Sequence, residues 1–335
     1  MIISRTPFRI SFFGGGTDYP VWYRQHGGAV LSTTINKYCH ITCRYLPPFF
    51  DHRFRIVYSK VELTKNRAEI QHPAVREALR FIGINDGLEV HHDGDLPART
   101  GLGSSSSFTV GLLHTLYSLK GVMPSKMQLA QDAIHVEQDL VQENVGSQDQ
   151  VAAAFGGMNR IEFQSGGDIR VTPIIVDTGL LDVLQNNLML YFTGFSRYAS
   201  EIAAEQIRKT PKRKAELRSM LEMVDEAQSI LTSKNWRLLD FGKLLDEGWQ
   251  VKRLLTDYIS TPRTNEIYKA ARSAGAVGGK LLGAGGGGFM LFFVKPEDKP
   301  RVREALNGLL EVPFRFEGYG SHIIFYENNG YFRKG

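Results

Sequence analysis

The chain has 335 residues, of which 42% are hydrophobic, 11% aromatic and 22% charged, values that fit about two globular domains and exclude a disordered chain. Lys and Arg number 40 against 35 Asp and Glu, and a net charge of +5 is too mild to require a nucleic-acid or membrane partner. Two cysteines, Cys39 and Cys43, exclude a disulfide framework.

Residues 7–13 and 28–46 predict strands, being rich in β-branched and aromatic side chains, and residues 54–59 predict another. A short helix is expected over 73–83 and a strand over 88–92. After the turn chemistry of 93–107, Phe108, Leu112, Leu113, Leu116 and Leu119 fall at helical spacing. Ser125 reads as the cap of a second helix running to about Leu140. A polar break at 143–150 leads to an Ala-rich helix and a strand at 158–163. A domain boundary is expected near 165–185, dividing the chain into 1–175 and 176–335. The second half opens on the strand 188–194, continues with helices over 199–234 and 236–257 interrupted at Pro211, and adds a helix from Asn265. A strand at 289–294, a helix from about Pro296 and strands at 313–317 and 321–326 complete it. This is α+β order in both halves.

The chain contains 34 glycines, and their clustering is informative. Gly14 to Gly16 form one run, and residues 275–288 hold eight glycines in fourteen positions. Four consecutive glycines, Gly285 to Gly288, cost folding entropy of about 0.5–1 kcal/mol each relative to alanine. Such a loop suits either a close approach of backbone or ligand, or a tight bulged hairpin.

The segment PARTGLGSSSS, leading into an apolar-periodic helix, suits phosphate. A helix start offers free N–H groups and a positive dipole end, Gly101 and Gly103 let the backbone wrap, and Ser104 to Ser107 add hydroxyls. A Walker A loop is excluded because the residues around Gly279-Lys280 lack its first glycine and its Ser/Thr. A dinucleotide fingerprint fails at the third glycine. Downstream, Glu137 and Asp149 could supply the metal ligand and the hydroxyl-facing carboxylate that phosphoryl transfer requires. Arg5 and Arg9 fall on one face of the first strand by period-two counting.

Four segments in order, RTPFR…GGGTD, LPARTGLGSSSS, E…GSQDQ and KLLGAGGGGF, resemble those of the GHMP small-molecule kinases and span residues 5–289. Within that family the FFGGGTD segment is most similar to bacterial kinases acting on D-glycero-D-manno-heptose 7-phosphate. The resemblance implies an N-terminal domain like ribosomal protein S5 domain 2, a ferredoxin-like C-terminal domain, ATP and Mg²⁺ as cofactors, and a small sugar phosphate as substrate; the low cysteine content makes a reducing cytoplasm the expected compartment.

By motif, the resemblance implies ATP binding by Gly101, Leu102, Gly103, Ser104, Ser105, Ser106 and Ser107, and metal binding by Ser105 and Glu137. It implies Asp149 and Arg9 as catalytic, and Gly16, Thr17, Asp18, Gly146, Ser147, Gly285 and Gly286 as substrate-binding. Arg197 and Lys280, beside these loops, are the expected cations for a substrate phosphate. Gly15 and Gly16 stand where galactokinases carry Glu-His, which argues against galactose and for a bulkier sugar. Kinases of unphosphorylated fucose-, arabinose- or galactose-type sugars are the alternative, with a catalytically silent sugar and ATP sensor a third.

Overall fold

Alternating apolar residues make the N-terminal half strand-rich. In the computed structural model, which describes residues 1–98, 100–194, 199–235 and 237–327, β1 (Ile2–Phe13) and β2 (Gly28–Tyr45) pair antiparallel on either side of α1 (Pro20–His26). There follow β3 (Phe54–Val57), β4 (Val61–Thr64), α2 (Pro73–Ile82), β5 (Leu88–Gly94), α3 (Ser104–Leu119) and α4 (Lys126–His135). A π-helical turn (Val136–Leu140) extends α4 and leads to α5 (Gln148–Phe155), β6 (Met158–Phe163) and β7 (Ile169–Pro173). The Ser125 hydroxyl accepts a hydrogen bond from the Gln128 amide, so the expected cap is in place.

The second half comprises α6 (Thr178–Asn186), β8 (Leu188–Gly194), α7 (Ala199–Lys209), α8 (Lys214–Thr232), α9 (Leu238–Arg253) and α10 (Pro262–Ser273). It continues with β9 (Ala276–Leu281), β10 (Gly288–Val294), α11 (Lys299–Ala305), β11 (Leu310–Glu311), β12 (Phe316–Glu317) and β13 (His322–Tyr326). A 3₁₀ turn at Thr210–Lys212 marks the break foreseen at Pro211.

Two sheets result. The first is mixed, ordered β13-β1-β2-β5-β3-β4, with β6 and β12 also on β2 and β7 on β6. Helix α3 packs against β1 and β2, flanked by α2, α4 and α5. The second is antiparallel, ordered β11-β8-β10-β9. Numbered along the chain that is 4-1-3-2, with α9 and α10 packed on β9, which is the expected ferredoxin-like arrangement.

The halves join through β2. Its first eight residues are buried without alternation, whereas from Tyr38 to Arg44 more exposed and buried residues alternate. Helix α8 lies against β1 and β2, so a strand that would otherwise have one wet face is covered on both. The cut expected at 175/176 needs one correction: β12 and β13 return to the first sheet, on β2 and β1. Arg5 and Arg9 also serve different partners, since the register shifts between Pro7 and Phe8 and Arg5 lies 4.6 Å over the Tyr38 ring.

Candidate active site

The apolar face of β1 buries Phe8, Ile10 and Phe12, yet Arg9 between them is only 4% exposed. Its guanidinium forks the Asp149 carboxylate, Nε to Oδ1 at 2.8 Å and Nη2 to Oδ2 at 2.9 Å. The remaining Nη1 donates to the Gly101 carbonyl at 2.6 Å, and the Arg9 amide donates to the Leu102 carbonyl at 3.0 Å. One arginine thus ties β1 to the glycine loop before α3 and to the first turn of α5. Such bidentate charge-assisted pairs fix geometry as well as charge. The Asp149 side chain stays 24% exposed, so it also faces open space.

Gly101 and Gly103 both adopt positive φ, +85° and +74°, and Gly103 caps α3. The loop therefore presents the start of a 16-residue helix beside Arg9 and Asp149. The second glycine segment supports it from behind. A Cβ on Gly283 would sit 2.3 Å from the Gly101 Cα, and one on Gly101 would sit 2.4 Å from the Leu282 carbonyl. Gly286 donates to the Ile259 carbonyl at 3.0 Å, and a Cβ on Gly285 would lie 2.7 Å from the Ile259 Cα. Both contacts pack the backbone of this segment against that of Ile259.

The four serines divide by helical phase. Ser106 donates to Glu137 Oε2 at 2.8 Å, while Ser105, the expected partner, is exposed on the first turn. Ser107 is 1% exposed and donates to the Pro7 carbonyl at 2.9 Å, so its hydroxyl holds β1 rather than facing a nucleotide. Leu102 is a core side chain, fully buried. Glu137, on the π turn, is 1% exposed and also accepts from the Gln150 amide. Its Oε1 is buried with no partner among the described residues, and burial pushes its carboxyl up to about 7 against the lowering influence of the nearby Thr109, Ser106 and Gln150 side chains. A buried carboxylate oxygen left open beside a serine hydroxyl is a hard-oxygen donor set that fits Mg²⁺.

Asp18 is 2% exposed and accepts from the Gly16 amide at 2.8 Å and from Gln148 Nε2 at 3.0 Å. Burial raises its pKa, and the charge of Asp149 adds to the rise, which places the two carboxyls in one field. A Cβ on Gly146 would fall 1.9 Å from Asp18 Oδ2, so only glycine fits there. Thr17 and Ser147 differ from expectation. The fully buried Thr17 hydroxyl contacts the Gly14 and Ala29 carbonyls at 2.8 and 2.9 Å, pinning the loop. The Ser147 hydroxyl, also fully buried, accepts from Gln138 Nε2 at 3.1 Å and pairs with the Tyr23 hydroxyl.

Lys280 is corrected as a phosphate ligand. It is 6% exposed and its ammonium donates to the Ser11 and Phe12 carbonyls at 3.0 and 2.6 Å. Burial, then Lys252 and Arg9, hold its pKa well below the lysine range. Arg197 lies outside the described residues. Lys252 went unforeseen: buried on α9, it donates to the Leu281 and Gly283 carbonyls at 3.0 and 2.6 Å. Burial and Arg9 push it down to about 7, against Asp18. Its sequence signal was phase, since Phe241, Leu245, Trp249 and Lys252 share one helical face and the first three are fully buried.

Comparison with known proteins follows the same lines. Residues 68–157 match the GHMP kinases N terminal domain and residues 234–311 the GHMP kinases C terminal domain. The chain is 29% identical over 320 residues to the D-glycero-alpha-D-manno-heptose 7-phosphate kinase of Campylobacter jejuni, covering 91% of this chain and 93% of that one. A crystal structure described as a D-glycero-D-manno-heptose 1-phosphate kinase from Bacteroides thetaiotaomicron superposes with a TM-score of 0.77 at 25% identity, covering 98% and 100% of the two chains. Lactococcus lactis galactokinase complexed with galactose shares the fold, with a TM-score of 0.72 at 20% identity over 96% and 94%.

Proposed function

The chain belongs to the GHMP kinases, a family of ATP-dependent phosphotransferases, and we propose that it transfers the ATP γ-phosphoryl to the anomeric hydroxyl of D-glycero-D-manno-heptose 7-phosphate, giving the 1,7-bisphosphate. The observation that carries the chemistry is the Arg9 fork, which sets Asp149 against the glycine loop with Asp18 in the same field. The heptose 7-phosphate acceptor is supported by likeness to the Campylobacter kinase over 91% of this chain and by the absence of a side chain at Gly15, whereas Gly16 packs against Gln206 and Leu217.

The loop amides at the start of α3 bind phosphate oxygens, and Arg9 offsets charge on the transferring group. Asp149 faces the acceptor hydroxyl and takes or orients its proton; a loose transition state asks little of a base. Asp18 accepts from a neighbouring sugar hydroxyl. Glu137 and Ser106 would hold Mg²⁺, which supplies charge neutralisation at the nucleotide phosphates.

One observation favours a second reading, an unphosphorylated sugar acceptor: Lys280, expected to bind the substrate phosphate, is engaged with backbone carbonyls. Comparing ADP release on heptose 7-phosphate and on the free heptose separates the two. The proposed reading expects kcat/KM at least about tenfold higher for the phosphorylated sugar, the scale of one charge-assisted contact. Equal or reversed values would establish the second reading.

A further inference from the structure

Gly15 forms part of a polar wall whose other groups are incompletely bonded. A Cβ at Gly15 would lie 3.8 Å from Gln148 Nε2 and 4.0 Å from the Ser11 hydroxyl. Ser11 is 6% exposed and Gln148 9% exposed. The Ser11 Oγ and the Gln148 Oε1 are both buried without a hydrogen-bond partner among the described residues. Buried polar atoms are nearly always satisfied, so these two call for a partner beyond the described residues, such as a bound ligand.

Each orphan is held in place by the rest of its residue. The Ser11 carbonyl accepts from Lys280, which fixes β1 at that point. Gln148 donates through Nε2 to Asp18 Oδ2. That bond sets the amide orientation, because a carboxylate oxygen takes the NH₂ and leaves the carbonyl end free. Asp18 is itself oriented by the Gly16 amide. The wall therefore offers a hydroxyl that donates or accepts, a carbonyl that only accepts, and a carboxylate. A ligand with adjacent hydroxyl groups satisfies all three, whereas an apolar or purely anionic ligand leaves the Gln148 carbonyl unmet.

We propose that Ser11 and Gln148 form a hydroxyl-reading subsite for the acceptor sugar, beside the hydroxyl taken by Asp18, and that Gly15 lacks a side chain so that the sugar can reach them. This rests on the sugar-kinase reading and adds two specificity-determining residues to it.

Acceptor identity is established first, by ADP release from the unaltered protein on heptose 7-phosphate, free heptose, L-fucose and D-galactose; release on none of them overturns the kinase reading alone. The subsite is then tested with the best of these sugars, using Ser11→Ala and Gln148→Met. The expected result is a KM for the sugar raised at least about tenfold in each variant, with KM for ATP within twofold. A site built to bond a hydroxyl also discriminates against analogues lacking it. A deoxy-sugar series should therefore contain one analogue that the unaltered protein disfavours and Ser11→Ala does not. Sugar KM within twofold of the parent in both variants, or equal losses for sugar and ATP, overturns the subsite. If no sugar is turned over, calorimetric binding of free heptose replaces KM, and equal affinity for the parent and Ser11→Ala overturns it. Gly15→Ala, which fills the space without removing a polar group, is expected to raise sugar KM likewise.

Discussion

Asp149 is gripped on both oxygens by Arg9 and remains partly open, which is the posture of a group that acts rather than merely braces. Replacing it with asparagine keeps the shape and removes the charge. We expect Asp149→Asn to bind nucleotide normally and to lose at least about 100-fold in turnover, the low end of acid–base effects; turnover near normal would remove Asp149 from the chemistry. Lys252 offers a pH test. Its folded pKa is near 7 against 10.5 in the open chain, so between those values the unfolded state holds the extra proton and stability rises with pH. The slope is at most about 1.4 kcal/mol per pH unit. Lys252→Met should lose that slope in thermal melts between pH 7 and 10; parallel pH profiles would mean that Lys252 titrates alike in both states. That Arg9, Asp149 and Asp18 come together was legible because motif spacing marks them. The contact of Ser106 with Glu137 was not, because four identical serines look alike until the docking of α3 decides which one turns toward Glu137. Lys280 misled for a related reason: a strand lysine shows its surroundings only once both neighbouring sheet faces are known.

The two glycine segments act as one element. Gly101 and Gly283 meet backbone to backbone, each with positive φ, and Lys252 holds the Gly283 carbonyl. Gly283→Ala meets a left-handed conformation, costing about 1–2 kcal/mol, and a contact with the Gly101 Cα that cannot relax without moving the phosphate loop. We expect a lower Tm and a KM for ATP raised at least about tenfold, with sugar KM less affected; an unchanged KM for ATP would separate the two segments functionally. Most helices and strands were legible from period and caps. Helix α6 and strand β7 fell in the stretch read as a boundary, since the short, exposed β7 and the turn before it resemble linker chemistry. The N-terminal half of β1 was read too late, because Ser4 and Thr6 are buried polar residues. The Ser4 hydroxyl bonds the Gly111 carbonyl and the Thr6 hydroxyl the Ser321 hydroxyl, which no local pattern reveals.

At the scale of the molecule, the first sheet closes only when β12 and β13 return to it, so the two halves named by sequence order are threaded through each other. The ends of β1, α3 and α5 meet the glycine segment of the second half at one place, where Arg9, Asp149, Asp18 and Lys252 converge. The two-residue β11 carries too little pattern to be read from sequence, whereas β12 falls within the strand expected at 313–317 and long runs such as β2 and α3 carry pattern enough. We propose that this convergence phosphorylates an anomeric hydroxyl. Proton-coupled ³¹P NMR of the protein with ATP, Mg²⁺ and heptose 7-phosphate tests it most directly. A new phosphate resonance coupled to the anomeric proton is expected, growing in step with ADP and at least about 100-fold more slowly for Asp149→Asn. Inorganic phosphate alone, or phosphate on a non-anomeric carbon, would contradict it.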